Sequence, residues 1–143
     1  MKGFIHMFDQ TDMKIVKLLM ENSRMQWREI GEIVHLTGQA VSNRIGRMES
    51  LGVIEGYSLK VNWKRLGKET TAFVTVFMKT TDHKAFQKYL KNNDAIIEAH
   101  RISGEGCYLL KIIASDQSEL IGLLDQILEY GNYRVNLSIE EYI

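Results

Sequence analysis

Gln39, Ser42, Asn43 and Arg47 lie within the run GQAVSNRIGRMES, whose apolar residues recur with helical period. On a helix these four side chains share one face, together with Gly46, which presents none. Their chemistry suits base edges. Gln and Asn pair bidentately with adenine, Arg with guanine, and a Ser hydroxyl with either, all in the major groove of a duplex. A helix face turned only to water normally carries Glu and Lys, yet Glu49 is the single acid in this stretch. The scarcity of negative charge spares the approaching phosphates from repulsion. From this helix alone, an ordinary solvated face of a helical hairpin stays open as the alternative.

Such a face must be aimed by a second helix. Trp27, Ile30, Ile33 and Val34 recur at spacings of three and four, and Val41, Ile45, Met48 and Leu51 do the same opposite the polar face. These two stripes predict two helices packed together, with Trp27 in the core. Between them lies His35-Leu36-Thr37-Gly38. Leu36 is placed to plug the corner, the Thr37 hydroxyl to cap the second helix, and Gly38 to keep the turn tight. Gly52 and an extended run over residues 54–61 follow, which completes the layout of a winged helix-turn-helix. The expected DNA-contacting set is Thr37, Gln39, Ala40, Ser42, Asn43, Arg44 and Arg47. Arg44 falls beside the apolar stripe, so a phosphate contact and an intramolecular salt bridge are both open to it.

The charge balance fits once it is divided. The 143 residues carry 18 Lys/Arg and 18 Asp/Glu, but residues 1–64 hold nine basic against seven acidic (net +2) and residues 65–143 nine against eleven (net −2). So weak a basic excess predicts that DNA affinity comes from an assembly rather than from one chain. No apolar run approaches the ~18 residues of a membrane span, no secretory h-region is visible, and a cytoplasmic location is the expectation. A single cysteine, Cys107, permits neither an internal disulfide nor a cysteine-based zinc cluster. His6, His35, His83 and His100 show no metal-ligand spacing. No catalytic arrangement, metal site or cofactor is expected, so the chain reads as a non-enzyme.

A domain boundary is expected near residues 62–70, giving a winged helix-turn-helix domain with an extended linker strand over 1–64 and a second domain over 65–143. The second domain reads strand, helix, strand, strand, helix, strand. Residues 71–79 and 107–114 are β-branched and aromatic, residues 96–102 pair with the latter across Gly104-Glu105-Gly106, and residues 133–139 alternate apolar with polar. Asp82 caps the helix that carries Phe86, Tyr89 and Leu90. Asp116 with Glu119 forms a capping box for the helix that carries Leu120, Leu123, Leu124, Ile127 and Leu128 and stops at Gly131. The fold class is therefore α+β, with a C-terminal ferredoxin-like βαββαβ domain. Both helices cover one sheet face. Val74 and Val76 alternate with Phe73 and Phe77, and Leu110 and Ile112 with Leu109 and Ile113, so these strands are apolar on both faces. A second copy packed sheet to sheet is the simplest cover for the open face, with cover from within the chain as the alternative.

Asp9 and Asp12 at the start of the first helix, Leu18-Leu19, Asn22, Arg24, Val41, Arg44, Glu49, Gly52-Val53-Ile54, Tyr57 and Leu66-Gly67 fall in an order and spacing that resemble the leucine-responsive regulatory protein family, the Lrp/AsnC or feast/famine regulators. The resemblance continues to the C-terminus. It implies a sequence-specific transcriptional regulator bound to double-stranded DNA, a homodimer that assembles into tetramers or octamers, and a small amino-acid effector. It places that effector near Ser103, Gly104, Glu105, Gly106 and Cys107. The family's usual pattern has an acidic residue where this chain has Cys107, and a thiol cannot hold an ammonium group by charge. That departure keeps open a ligand-independent architectural DNA-binding protein of the same fold. A further reading, an accessory module that regulates an enzyme through its helical half, fits poorly with a polar Gln39/Asn43/Arg47 face, because protein contacts present apolar anchors.

Overall fold

The computed structural model describes residues 7–143; His6 lies outside them. The chain divides into two compact units, with the division after Lys60.

The first unit holds three helices: α1 (Gln10–Glu21), α2 (Trp27–Val34) and α3 (Gly38–Ser50). Helix α1 begins at a capping box. Asp9 accepts the Asp12 N–H at 2.8 Å and Asp12 accepts the Asp9 N–H at 3.1 Å, which satisfies donors that a helix start leaves orphaned. Ile15, Ile30, Val41, Ile45 and Met48 form the buried core, with Phe8, Leu18, Val34, Leu36 and Ile54 packed around it. Three of the expected stripe positions are not core. Trp27 is 52% exposed and Ile33 53%, and Leu51 is exposed as well. With only eight residues, α2 is centred on the core by Ile30. Trp27 overhangs its first turn, and Ile33 lies about 100° round the helix from Val34.

The expected wing forms no β-strand among the described residues. Residues 54–61 run through an irregular segment, and no β-strand occurs among the described residues of this unit. A wing needs two runs that satisfy each other's backbone groups. Here one apolar-polar run, interrupted by Gly56, has no second run to pair with among the described residues. Those residues form a helix-turn-helix followed by an irregular segment.

The second unit opens with a 3-10 turn (Trp63–Leu66) and continues as β1 (Thr70–Met78), α4 (His83–Lys91), β2 (Ile96–Arg101), β3 (Tyr108–Ala114), α5 (Gln117–Ile127) and β4 (Gly131–Leu137). The strands form one antiparallel sheet in the order β2-β3-β1-β4, as the βαββαβ pattern requires. Val74, Val76, Leu110 and Ile112 point to the helices and are buried against Phe86, Leu90, Leu120, Leu124 and Ile127. Burying each such side chain is worth about 1.5–3 kcal/mol. Phe73 on the opposite sheet face is 38% exposed, whereas Ile113 on that face is 2% exposed.

Two local expectations change. Helix α5 ends at Ile127, four residues before Gly131, and Gly131 opens β4. A Cβ there would lie 2.3 Å from the Phe77 carbonyl oxygen, so the glycine serves strand approach rather than a helix stop. Asp116 caps α5 by accepting the Glu119 N–H at 2.8 Å. The Glu119 carboxylate does not close a box on Asp116. It accepts the Ser115 N–H at 2.6 Å and the Ser115 hydroxyl, and pairs with Lys68 at 3.1 Å.

Candidate nucleic-acid interface

The corner between α2 and α3 sets the direction of the polar face. His35 ends α2 in the left-handed region (φ 61°), and Leu36 donates its N–H to the Gly31 carbonyl at 2.9 Å. The chain then doubles back so closely that a Cβ on Gly31 would sit 2.3 Å from the Leu36 carbonyl oxygen. A Cβ on Gly38 would meet Arg28 N at 3.5 Å, an ordinary contact. The residue that must be glycine for a tight corner is therefore Gly31, not Gly38. Leu36 packs against the core, and the Thr37 hydroxyl accepts the Ala40 N–H at 3.1 Å, so α3 is capped as its sequence predicts.

Along α3, Val41, Ile45 and Met48 are buried, while Gln39, Asn43, Gly46 and Arg47 are exposed and Ser42 is half-buried. Gln39 Nε2 donates to Asn43 Oδ1 at 3.0 Å. The pair fixes two long polar side chains side by side and leaves Gln39 Oε1 and the Asn43 amide N–H groups for other partners. Gly46 has nothing within 4 Å of its would-be Cβ, which leaves an open notch in the face. Glu49, at the far end, is exposed.

The two arginines differ from their neighbours. Arg44 Nη1 lies 2.8 Å from both Asp9 carboxylate oxygens and 3.0 Å from Asp12 Oδ1. Of the two roles open to it, the structure shows the intramolecular salt bridge. The Arg44 hydrogen bond holds the Asp9 carboxyl below its usual range, and the Asp9 and Asp12 bonds push Arg44 up. Arg47 stays at the surface, with its Nη2 donating to the Met7 carbonyl at 2.8 Å and its guanidinium 5.4 Å from the Phe8 ring centre. Sequence reasoning left a salt bridge open to Arg44 but missed its partners, Asp9 and Asp12. The Asp-x-x-Asp spacing just ahead of an apolar helical run was a signal for the capping box alone.

In the second unit, Ile102 N–H donates to the Cys107 carbonyl at 3.0 Å, and Ser103, Gly104, Glu105 and Gly106 form the loop between β2 and β3. Gly104 and Gly106 have φ of 84° and 88°, which L side chains rarely adopt. Gly106 also packs against Thr75 and Phe77. Cys107 is half-buried, and its N–H donates to the Val76 carbonyl at 2.8 Å. Among the described residues, no backbone N–H of residues 103–106 is committed to a protein acceptor. Glu105 reaches out to Arg134 at 3.9 Å, and Arg134 lies over Phe77 at 5.7 Å from the ring centre. No group of three potential metal ligands occurs among the described residues.

Comparison with known proteins is consistent across the chain. Residues 8–49 match the AsnC-type helix-turn-helix domain, and residues 71–143 match the Lrp/AsnC ligand binding domain. The HTH-type transcriptional regulator LrpB of Bacillus subtilis is 47% identical over 133 residues, 93% of this chain and 89% of that protein. The structure of B. subtilis LrpC superimposes with a TM-score of 0.91 at 29% identity, over 95% of this chain and 97% of the other. A transcriptional regulator from Neisseria meningitidis, solved as its L-Met complex, shares the fold with a TM-score of 0.88 at 23% identity, over 95% of this chain and 92% of the other.

Proposed function

The chain belongs to the Lrp/AsnC family of helix-turn-helix transcriptional regulators, and from that premise we propose that it acts as a homo-oligomer that reads double-stranded DNA with α3 and answers to a small amino acid at the loop over residues 103–107. The observation that carries the DNA reading is the exposed, almost acid-free face on which Gln39 and Asn43 are bonded to each other. Gln39, Ser42, Asn43 and Arg47 are the base-edge contacts, with Thr37 and Ala40 at the helix start against the backbone. Arg47 gives up its bond to the Met7 carbonyl when it meets a base. The functional division is a DNA-binding domain over 1–64 and a regulatory and oligomerisation domain over 65–143.

Phe73, with half-buried Phe77 and Leu109, gives the helix-free sheet face an apolar centre that a second copy covers. A two-fold dimer presents two α3 helices to successive major grooves about 34 Å apart and prefers a palindromic site. Assembly of dimers into tetramers or octamers supplies the affinity that a weakly basic chain lacks. For the effector, the uncommitted N–H groups of residues 103–106 suit a carboxylate, and Arg134 adds a positive charge nearby. Glu105 is the carboxylate available to an ammonium group, since Cys107 brings none. The Neisseria regulator that holds L-Met supports an amino acid as the class of ligand. No helix among the described residues is long and apolar enough to cross a membrane.

The neutral Cys107 favours a second reading, an architectural protein that binds and wraps DNA without an effector. Fluorescence anisotropy on the DNA upstream of its own gene and on a scrambled duplex, with and without a pooled amino-acid mixture, separates the two. A preference for the native duplex that shifts with the pool supports the regulated reading. A preference indifferent to the pool supports the architectural one, and no DNA binding even at low salt contradicts both.

A further inference from the structure

We infer that Arg44 is a positioning residue for DNA recognition, and that the Asp9–Asp12 capping box is the cradle through which it sets the roll of α3. This rests on the proposal that α3 reads the major groove. The capping box uses one oxygen of each carboxylate on a backbone N–H at the start of α1. The oxygens left over, Asp9 Oδ2 at 2.8 Å and Asp12 Oδ1 at 3.0 Å, meet a single nitrogen of Arg44 that also lies 2.8 Å from the capping oxygen Asp9 Oδ1, so one guanidinium bridges both acids. The Asp12 side chain is 3% exposed, that of Arg44 31% and that of Asp9 56%, so the tie runs from the edge of the core out to solvent. Two negative charges at a helix N-terminus also sit in the favourable end of its dipole, which leaves the cradle balanced by one arginine.

This tie sharpens what the core beneath it sets. Val41, Ile45 and Met48 fix which face of α3 is buried, but the attraction between apolar groups by itself carries no directional preference. Hydrogen bonds to a fixed carboxylate pair do. Arg44 directly follows Asn43 and directly precedes buried Ile45, so it marks the border between the reading face and the core. Side-chain ends lie about 5–6 Å from a helix axis, and a roll of about 10° moves them by about 1 Å. That displacement takes a base-edge hydrogen bond out of its 2.7–3.2 Å range, yet leaves attraction to phosphates almost unchanged. Loss of the tie therefore costs discrimination between sequences rather than general DNA affinity.

The test uses full-length protein, a duplex selected from a random pool by the wild type, and a scrambled duplex of the same length, with binding constants measured over a range of KCl concentrations. Arg44→Ala is expected to reduce the ratio of selected to scrambled affinity about tenfold and to leave the salt dependence on the scrambled duplex unchanged. Arg44→Lys, which keeps the charge but not the fork, recovers part of the ratio. Asp12→Asn keeps a capping oxygen and weakens the tie from the other side, so it lowers the ratio as well and stands in if Arg44→Ala fails to fold. A phosphate-binding role for Arg44 gives the opposite pattern. The salt slope then falls by about 0.9 for each phosphate left without its cation while the ratio holds, and Asp12→Asn binds as the wild type does or tighter. That pattern overturns the inference alone. A wild type that selects no sequence overturns the reading of α3 and the inference with it.

Discussion

Replacement of Gly31 by alanine tests the corner that aims α3. The new Cβ would fall 2.3 Å from the Leu36 carbonyl oxygen and 3.3 Å from its carbon, and both are backbone atoms with no rotamer to escape into. For an ordinary contact of 3.4 Å the turn has to open by about 1 Å. Overpacking of this kind costs about 1–3 kcal/mol. Alanine in the middle of a helix returns up to about 1 kcal/mol of propensity, so a net loss of about 1–2 kcal/mol is expected. Gly46→Ala is the matched control, because nothing lies within 4 Å of its would-be Cβ and only the propensity gain remains. The chain has two tryptophans, Trp27 beside Gly31 on α2 and Trp63 in the other unit. In a Trp63→Phe background, urea unfolding followed by Trp27 fluorescence reports the helical unit by itself. Gly31→Ala unfolding at lower urea and Gly46→Ala at higher urea than the parent is the expected order. A Gly31→Ala protein as stable as Gly46→Ala would refute the steric account of the turn.

Three further outcomes follow from individual contacts. His35 holds a left-handed backbone (φ 61°) with its side chain in solvent, so His35→Gly is expected to raise the stability of the helical unit by up to about 1 kcal/mol in the same urea assay. Glu119, bonded to Ser115 and Lys68, titrates at about 2 in the folded chain against an ordinary 4.5. Between those values the unfolded chain binds more protons, so its contribution is complete above pH 4.5 and is lost as pH falls toward 2. In thermal melts across that window Glu119→Gln should show a shallower pH dependence than the wild type. Phe73→Asp places a charge on the sheet face free of helices and is expected to convert the proposed oligomer to monomer in light scattering while the helical circular dichroism is kept.

The sequence was most legible where periodicity and burial coincide. Val41, Ile45 and Met48 repeat over the long α3 and are all buried, whereas β1 and β3 are apolar on both faces in sequence and only the fold shows that Val74, Val76, Leu110 and Ile112 take the helix side of the sheet. Legibility fell at short elements and at contacts distant in sequence. Trp27 obeys the period of α2 but sits at its first residue, where an eight-residue helix no longer has core beneath it. The apolar-polar run over 54–61 has strand character without a partner, which no local pattern discloses. Gly31 and Gly38 look equivalent in sequence, and only the path of the turn shows that the Leu36 carbonyl presses on the first. Within the proposed reading face, residue type and period in the sequence singled out Gln39 and Asn43, which the structure leaves exposed. The engagement of Arg44 by residues 35 and 32 positions earlier was not legible, because it depends on how α1 crosses α3.

The central claim, that α3 reads DNA through its Gln39/Asn43 face, is tested most directly by equilibrium binding of Gln39→Ala and Asn43→Ala proteins to the selected and scrambled duplexes at one fixed salt concentration. Each substitution removes base-edge groups and no charge, so affinity for the selected duplex should fall by about 1–3 kcal/mol, with the scrambled duplex bound as before. Equal losses on both duplexes, or no loss on either, would contradict the account and place the reading surface elsewhere on the chain.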